Sequence, residues 1–328
     1  MPVFALEFFG AILQVMGVVE QADLSFFFGP HLLEEGAGLE RAALVVHFAQ
    51  RAGSGATGNE VRVVDGEGRL LRRLPYHGIG GIPPVLPPFA AMNQRYAVVQ
   101  AAVLTRKDSV VALVGGIGSP RNSVALALGG RGWRMVSAQY LVVDRVTGHT
   151  LPFQLPLALR GPALETARAA GLVDGAPDVR SARSPLTGDF VRVRPERLIE
   201  TVGIGERLGP ATLVRLCTTG GQRCHLEERD FALSVWPPDA GADPAFAVAP
   251  RLRLLLPESG GAEEAADLLD DRLTVLAKGA VPCPAVPPTP REHPAGSTTW
   301  ESTPPVPRTS TLLSSAGSSD ARAAAATT

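Results

Sequence analysis

Lysine is almost missing from this 328-residue chain: Lys107 and Lys278 are the two, against 29 arginines (31 basic residues less two). With 35 glycines and 29 prolines, the bias points to a GC-rich, bacterial coding sequence. An arginine standing where a lysine is expected therefore carries less information here than usual. Cysteine is scarce as well. Cys217, Cys224 and Cys283 are irregularly spaced, which matches neither a disulfide framework nor the paired spacing of a zinc site and reads as incidental thiols in a reducing cytosol. Neither sign of charge is in excess. A net charge of −1 gives no electrostatic case for nucleic acid or an anionic membrane as partner. A long apolar run is lacking too. Met1 to Val19 is apolar but broken by Glu7, Gly10, Gln14 and Gly17, and the first lysine or arginine is Arg41. A signal peptide needs a positive start, and a membrane span needs about 20 apolar residues. The reading is a cytoplasmic protein.

What is present suits a globular fold. Apolar residues make up 45% and charged residues 19%, enough to build a full hydrophobic core. Residues 1–80 read as a smaller β-rich N-terminal region of short strands and turns. Its clearest signals are the apolar run Ala42 to Phe48 and the hairpin signature Asp65-Gly66 after Val61 to Val64. A Gly/Pro connector occupies 75–89. Beyond it the pattern changes to strands at Tyr96–Leu104 and Ser109–Val114, a glycine turn at 115–118, a helix over Asn122–Leu128, and strands at Trp133–Val136 and Tyr140–Val143. Strand, glycine turn, helix, strand is the order in which α/β folds build phosphate sites. Later strands are read at Phe190–Arg194 and Ala211–Leu216. Residues 262–277 form an amphipathic helix with Ala265, Leu268, Leu269, Leu273 and Leu276 on one face. Residues 280–328, rich in Pro, Ser, Thr and Ala without periodicity, read as a disordered tail.

The glycine turn runs Gly115-Gly116-Ile117-Gly118-Ser119-Pro120-Arg121-Asn122-Ser123. A Walker A loop reads G-x-x-x-x-G-K-[ST]. With Gly115 as first glycine, Pro120 stands at the second, Arg121 at the lysine and Asn122 at the hydroxyl residue. Proline removes one N–H from the anion cradle. Arginine keeps the charge in a bulkier, planar form. The amide oxygen of Asn122 is a metal ligand of different reach from a hydroxyl, and Ser123 comes one position late. The nucleotide-binding candidates are Gly115, Gly116, Gly118, Ser119, Arg121, Asn122 and Ser123. Asn122 and Asp144 are the metal candidates, with Asp144 the one catalytic candidate. Arg160, Arg192 and Arg194 could line an anion-facing cleft, but a solvated surface is the favoured reading. His47 and His77 read as structural, and Cys224-His225 with its nearby glutamates supplies too few ligands for a metal.

The run Ala125-Leu126-Ala127-Leu128-Gly129-Gly130-Arg131-Gly132-Trp133 and its continuation through Asp144 and Thr147-Gly148 to Pro152-Phe153, Pro156-Leu157 and Leu159 resembles bacterial proteins related to HPr kinase/phosphorylase. Those carry a "LALALxxRGW" helix and turn after the P-loop, then a "D-x-x-T-G-x-x-x-P-F-x-x-P-L-x-L" segment. Val191 to Glu196 resembles a "V-R-P-E" stretch of that family. Glu200 to Gly205 echoes its "E-x-R-G-x-G-I" signature, with Val202 in place of arginine. The resemblance is good over 110–161 and patchy over 86–255.

It implies an α/β fold: a PEP-carboxykinase-like P-loop domain with a C-terminal helix over 86–279, preceded by the β-rich region. It also implies ATP- and Mg²⁺-dependent phosphorylation of a serine. The family's acidic pair, which serves metal binding and proton transfer, falls here on Ala138 and Gln139, and a histidine of the preceding strand on Gln100. Phosphoryl transfer depends on positioning and charge stabilisation, so the joint changes at Pro120, Asn122, Ala138 and Gln139 favour a catalytically degenerate protein. Its expected role is regulatory or binding, with at most a weak nucleotide site. The alternatives are a divergent active serine kinase acting on a small protein or peptide, and a scaffold without a nucleotide site. Homo-oligomerisation is a further expectation carried by the family.

Overall fold

The structure is a computed structural model. It describes residues 3–17, 21–34, 37, 42–50, 59–75, 95–116, 118–173, 175, 178–184, 188–236, 244–246, 249–258 and 260–279. The described residues all fall within the compact unit Met1–Val281. The expected tail at 280–328 and the connector beyond Pro75 lie outside the described residues.

The first sheet has five strands in sequence order: β1 (Val3–Phe8), β2 (Ala11–Gly17), β3 (Ala42–Gln50), β4 (Asn59–Asp65) and β5 (Leu70–Pro75). β1–β2 and β3–β4–β5 are antiparallel, whereas β2 and β3 are parallel. Parallel neighbours cannot be joined by a tight turn, and the crossover is made by helix α1 (Gln21–Phe28). This corrects the reading of 1–80 as strands and turns alone. Phe26-Phe27-Phe28 has strand-like composition, but local propensity gives way where packing decides. Leu24 and all three phenylalanines are buried in α1. The Asp65-Gly66 hairpin forms as expected, with Asp65 Oδ1 accepting from the Glu67 and Arg69 N–H groups at 3.0 and 2.9 Å.

The larger sheet turns on β6 (Tyr96–Arg106), whose first half pairs with β9 (Tyr140–Asp144) and second half with β7 (Ser109–Val114) and β8 (Arg134–Ser137). Beyond β7 lie β14 (Thr212–Thr219) and β17 (Arg251–Pro257), each parallel to its neighbour, and then antiparallel β15 (His225–Glu228). β10 (Thr150–Leu151) extends β9, and β16 (Val235–Trp236) pairs with β6. A third sheet orders β11 (Leu157–Leu159), β13 (Gly188–Val193) and β12 (Val179–Ser184). The helices are α2 (Arg121–Gly129), α3 (Gly161–Ala169) and α4 (Ala262–Gly279). The architecture is mixed α/β.

Strand alternation assigns each face. In β7, Val111 and Leu113 join the core beneath α2 and α4, while Val110 and Ala112 join a second core on the opposite face. Tyr96 and Val98 of β6, with Leu151, Phe153 and Leu155, share a third core with the five-stranded sheet and α1. At the C-terminal end of α2, Gly129 is required by close approach: a Cβ there would lie 2.5 Å from Ile199 Cδ1. Arg131 then binds Glu263 and Asp267 of α4 at 2.8 and 2.7 Å. Trp133, 1% exposed, donates from Nε1 to Asp270 at 2.7 Å. Among the described residues no helix is long and apolar enough to cross a membrane.

Candidate anion-binding site

β7, β14 and β17 run in the same direction. In open α/β sheets, ligand crevices form outside the carboxyl ends of such strands. A cavity of about 430 Å³ lies there, reached by Thr218 of β14 and Pro257 of β17. The turn after β7 forms one wall. Gly115 lies flat on Ser119, where a Cβ would come 2.5 Å from the Ser119 hydroxyl, and Gly118 takes φ +86°. The Ser119 N–H closes the turn on the Gly116 carbonyl at 3.2 Å. Ile117 lies outside the described residues. Pro120 precedes α2 and contributes no side-chain cap. The first α2 bond runs from the Val124 N–H to the Pro120 carbonyl at 3.0 Å. Earlier N–H groups of the first turn have no partner within the helix, and Ser119 to Ser123 line the cavity.

Of the expected nucleotide-binding residues, Gly118, Ser119, Arg121, Asn122 and Ser123 line the cavity, while Gly115 and Gly116 shape the turn behind it. Asn122 Nδ2 donates to the Ala158 carbonyl at 2.6 Å, tying the start of α2 to β11. Gln100, Ala138 and Gln139, the positions picked out by the family resemblance, line the cavity too. Gln139 Nε2 donates to the Pro156 carbonyl at 2.9 Å.

Asp144 is not among the lining residues. It pairs with Arg95 at 2.7 Å and accepts the Val146 and Thr147 N–H groups at 2.9 and 3.4 Å. Burial pushes its carboxyl up, but Arg95 and these N–H groups outweigh that and hold it below the ordinary range. Its geometry is that of a turn residue. Among the described residues no cluster of three or more His, Cys, Asp or Glu could hold a metal ion.

Arg160 and Arg192 overturn the solvated-surface reading. Both line the cavity, and Arg192 is 6% exposed. The third sheet explains their placement. Ala158 on β11 sits opposite Arg192 on β13. Leu157, Leu159, Val191 and Val193 point into the core, and the alternate residues Ala158, Arg160, Phe190 and Arg192 face the cavity. The Phe190 ring is stacked by Arg160 at 4.4 Å and by Arg192 at 5.2 Å, and Arg192 also covers Phe27 of α1 at 5.1 Å. Arg194 does not join them; it pairs with Glu196 at 2.5 Å.

The electrostatics are lopsided. Arg121, Arg160 and Arg192 converge on the cavity, and Glu258 at its exposed rim is the only carboxylate among the described lining residues. Among the described residues, buried nitrogens remain without hydrogen-bond partners: Arg121 Nη1, Arg160 Nε, and Arg192 Nε and Nη1, together with the Ser119 hydroxyl. Burial pushes all three guanidiniums below the ordinary arginine range; Arg192, with Arg160 adding repulsion, falls to about 10. Burial pushes the Tyr140 phenol up, against the pull of Arg121 and Arg192. Buried polar groups are normally paired. Several unpaired donors on residues that line one cavity favour an anion there.

ATP and Mg²⁺, implied by the family resemblance, fit unequally. The phosphates match the guanidiniums and the α2 N-terminus. Mg²⁺ wants several hard oxygen ligands in octahedral geometry, and the described lining offers three guanidiniums, one carboxylate at the rim (Glu258) and neutral hydroxyl and amide oxygens. The residues fit phosphate well and the metal poorly.

No family model matches this chain, and no curated protein matches it. Among solved structures it is similar to the Hpr(Ser) kinase/phosphatase from Coxiella burnetii, at 11% identity and a TM-score of 0.28, over 56% of this chain and 99% of that one. At that score the likeness carries no argument about this chain.

Proposed function

We propose that this protein is a catalytically degenerate relative of the HPr-kinase type, with a PEP-carboxykinase-like P-loop frame over 86–279 that binds a phosphate-bearing ligand and does not transfer its phosphoryl group. The observation that carries the reading is the convergence of Arg121, Arg160 and Arg192 on a cavity at the N-terminus of α2, their buried nitrogens unpaired. Catalysis would also need a group to take the proton from the attacking hydroxyl. Ala138 and Gln139 stand on the cavity wall, and neither side chain can do so. What remains is a binding function with a regulatory use: a ligand seated here touches α2, β11 and β13 at once.

The test is calorimetric titration of the full chain with ATP, with and without Mg²⁺, beside Arg121→Ala, together with a phosphoryl-transfer assay on serine-containing peptides. The expected result is weak binding, lost in the variant, and no transfer. Sustained Mg²⁺-dependent transfer from purified protein would overturn the reading.

A further inference from the structure

The cavity's wall chemistry bears on the form in which a ligand enters. We infer that the cavity takes its ligand free of divalent metal: a small organic phosphate held as a bare dianion or higher anion, gripped between the first turn of α2 with Arg121 on one side and the Arg160–Arg192 pair of the third sheet on the other. This rests on the phosphate-binding reading above and extends it to what is bound and by which residues.

Charge comes first. Three guanidiniums against one rim carboxylate leave the lining with a surplus of about two positive charges. A phosphate monoester carries roughly −1.5 to −2 near neutral pH, so one such group neutralises the site. In a kinase site much of this role falls to the metal, which bridges phosphate oxygens and takes up their charge. Here the protein supplies the cations itself. A divalent ion arriving with the ligand would meet Arg121, Arg160 and Arg192 and find no carboxylate on the inner wall.

Donor geometry comes next. Arginine offers a planar fork suited to phosphate oxygens, typically taken two at a time. Arg192 is more than nine-tenths buried, lines the cavity, and leaves Nε and Nη1 unpartnered. Arg160 leaves Nε unpartnered beside it, and across the cavity Arg121 Nη1 and the Ser119 hydroxyl are unpartnered too. Stacking on Phe190 and Phe27 holds the two sheet arginines in place without using their in-plane N–H groups. Their donors are therefore preorganised, and binding orders little that is not already ordered.

Size and wall character define the remainder of the ligand. The cavity, at about 430 Å³, falls in the range of small-molecule sites and holds more than a phosphate group. Past the arginines the walls mix small apolar residues such as Pro120, Ala138 and Pro162 with the neutral polar side chains of Gln100, Gln139 and Thr218. Phe190, the aromatic side chain among the described lining residues, already carries Arg160 on its ring. A nucleobase finds no open stacking face, so recognition runs through the phosphate.

The experiment is titration of the full chain with inorganic pyrophosphate and with ADP, each with and without excess MgCl₂, and with inorganic phosphate as a probe that magnesium complexes weakly. Wild type, Arg121→Ala, Arg160→Gln, Arg192→Met and Arg192→Lys are compared, with an unfolding midpoint for each to certify the fold. The expected results are these. Pyrophosphate binds without metal, excess Mg²⁺ weakens it about tenfold or more, and ADP binds no more than a few-fold tighter than pyrophosphate. Each neutral arginine variant loses about ten- to a hundredfold in affinity, and Arg192→Lys falls between. Binding strengthened by Mg²⁺ overturns the inference while leaving phosphate binding in place. So does binding abolished by Arg121→Ala but kept within twofold by folded Arg160→Gln and Arg192→Met. No binding of any probe by folded wild type, with or without Mg²⁺, overturns both this inference and the reading beneath it.

Discussion

Replacing Arg192 with methionine should leave the unliganded protein about as stable as before and strip it of the stability that ligand confers. Methionine keeps a flexible apolar stem of similar reach and removes a charge the fold does not compensate. The size of the effect follows from the structure. Burial, with repulsion from Arg160, pushes Arg192 down to about 10. At about 1.4 kcal/mol per pKa unit, holding it charged costs about 3 kcal/mol. The penalty belongs to the charged form, so it is present in full at neutral pH and fades only as pH rises past about 10. Against it stand the desolvated contacts on Phe27 and Phe190, worth up to about 2 kcal/mol each. The two effects nearly cancel, so the unliganded variant should lie within about 1 kcal/mol of wild type. The assay is urea unfolding of wild type and Arg192→Met, first in phosphate-free buffer and then in pyrophosphate at about a hundred times the wild-type Kd. Ligand at that excess stabilises the wild type by about 2.7 kcal/mol and should do little for the variant, so a gap opens between them only when ligand is present. A variant less stable than wild type by about 2 kcal/mol or more in the absence of ligand would refute the reasoning: Arg192 would then be a packing element of the third sheet and not a group held in waiting.

Ala138→Asp places a carboxylate on the wall among the three guanidiniums; pyrophosphate affinity should fall about tenfold in calorimetry, and a gain of Mg²⁺-dependent phosphoryl transfer instead would show that one acid suffices for catalysis. Asp144→Ala should cost about 1–3 kcal/mol of stability, through loss of the Arg95 pair and the Val146 and Thr147 N–H bonds, and leave pyrophosphate affinity unchanged. Because the Asp144 carboxyl is held below the ordinary range, its contribution is present above about pH 4 and lost as pH falls through the depressed value. The difference between wild type and Asp144→Ala should therefore shrink in acid unfolding curves. Gly17→Ala should destabilise by about 3 kcal/mol or more: φ there is +108°, and a Cβ would lie 2.0 Å from the Phe48 carbonyl oxygen, at the β2–β3 pairing. Thermal unfolding followed by circular dichroism checks this, and a shift under about 2 °C would count against that register.

Elements whose local pattern and tertiary role agree were legible from residues alone. β7 spans Ser109–Val114, as its β-branched run predicts, and α4 buries Ala265, Leu269 and Leu273 on the face that its helical period marks. α2 begins one residue earlier than its pattern shows because Pro120, which cannot continue a helix backwards, stands immediately before Arg121. Elements set by distant partners were not legible. Nothing local in Gln21–Phe28 shows that β2 and β3 pair in parallel and need a crossover. Arg192 alternates with Val191 and Val193, the pattern of a strand with one face in solvent. That its face is covered by α1 from one side and approached by α2 from the other follows only from three segments far apart in sequence. The unnoticed signal was a phenylalanine, Phe190, on the same face as the arginine: a solvated face has little use for a buried aromatic ring.

The scarcity of lysine bears on this cavity in a limited way. Composition can explain why a cation here is an arginine; it cannot explain why that cation lacks a carboxylate. The chain carries 31 basic and 32 acidic residues, and elsewhere the fold brings them together: Arg106 with Asp270, Arg131 with Glu263 and Asp267, Arg95 with Asp144, Arg194 with Glu196. Among the described residues Arg121, Arg160 and Arg192 have no such pairing, and two of the other positions lining the cavity are Ala138 and Gln139. An acid at either would have offset the burial and the Arg160 repulsion that together depress Arg192. Uncompensated buried charge is costly to a fold, and where it persists at a cavity wall the compensating charge is expected from outside the chain. On the proposed reading, Ala138 and Gln139 on the wall and three arginines without a carboxylate among the described residues act in one direction: the cavity suits an anion better than a metal.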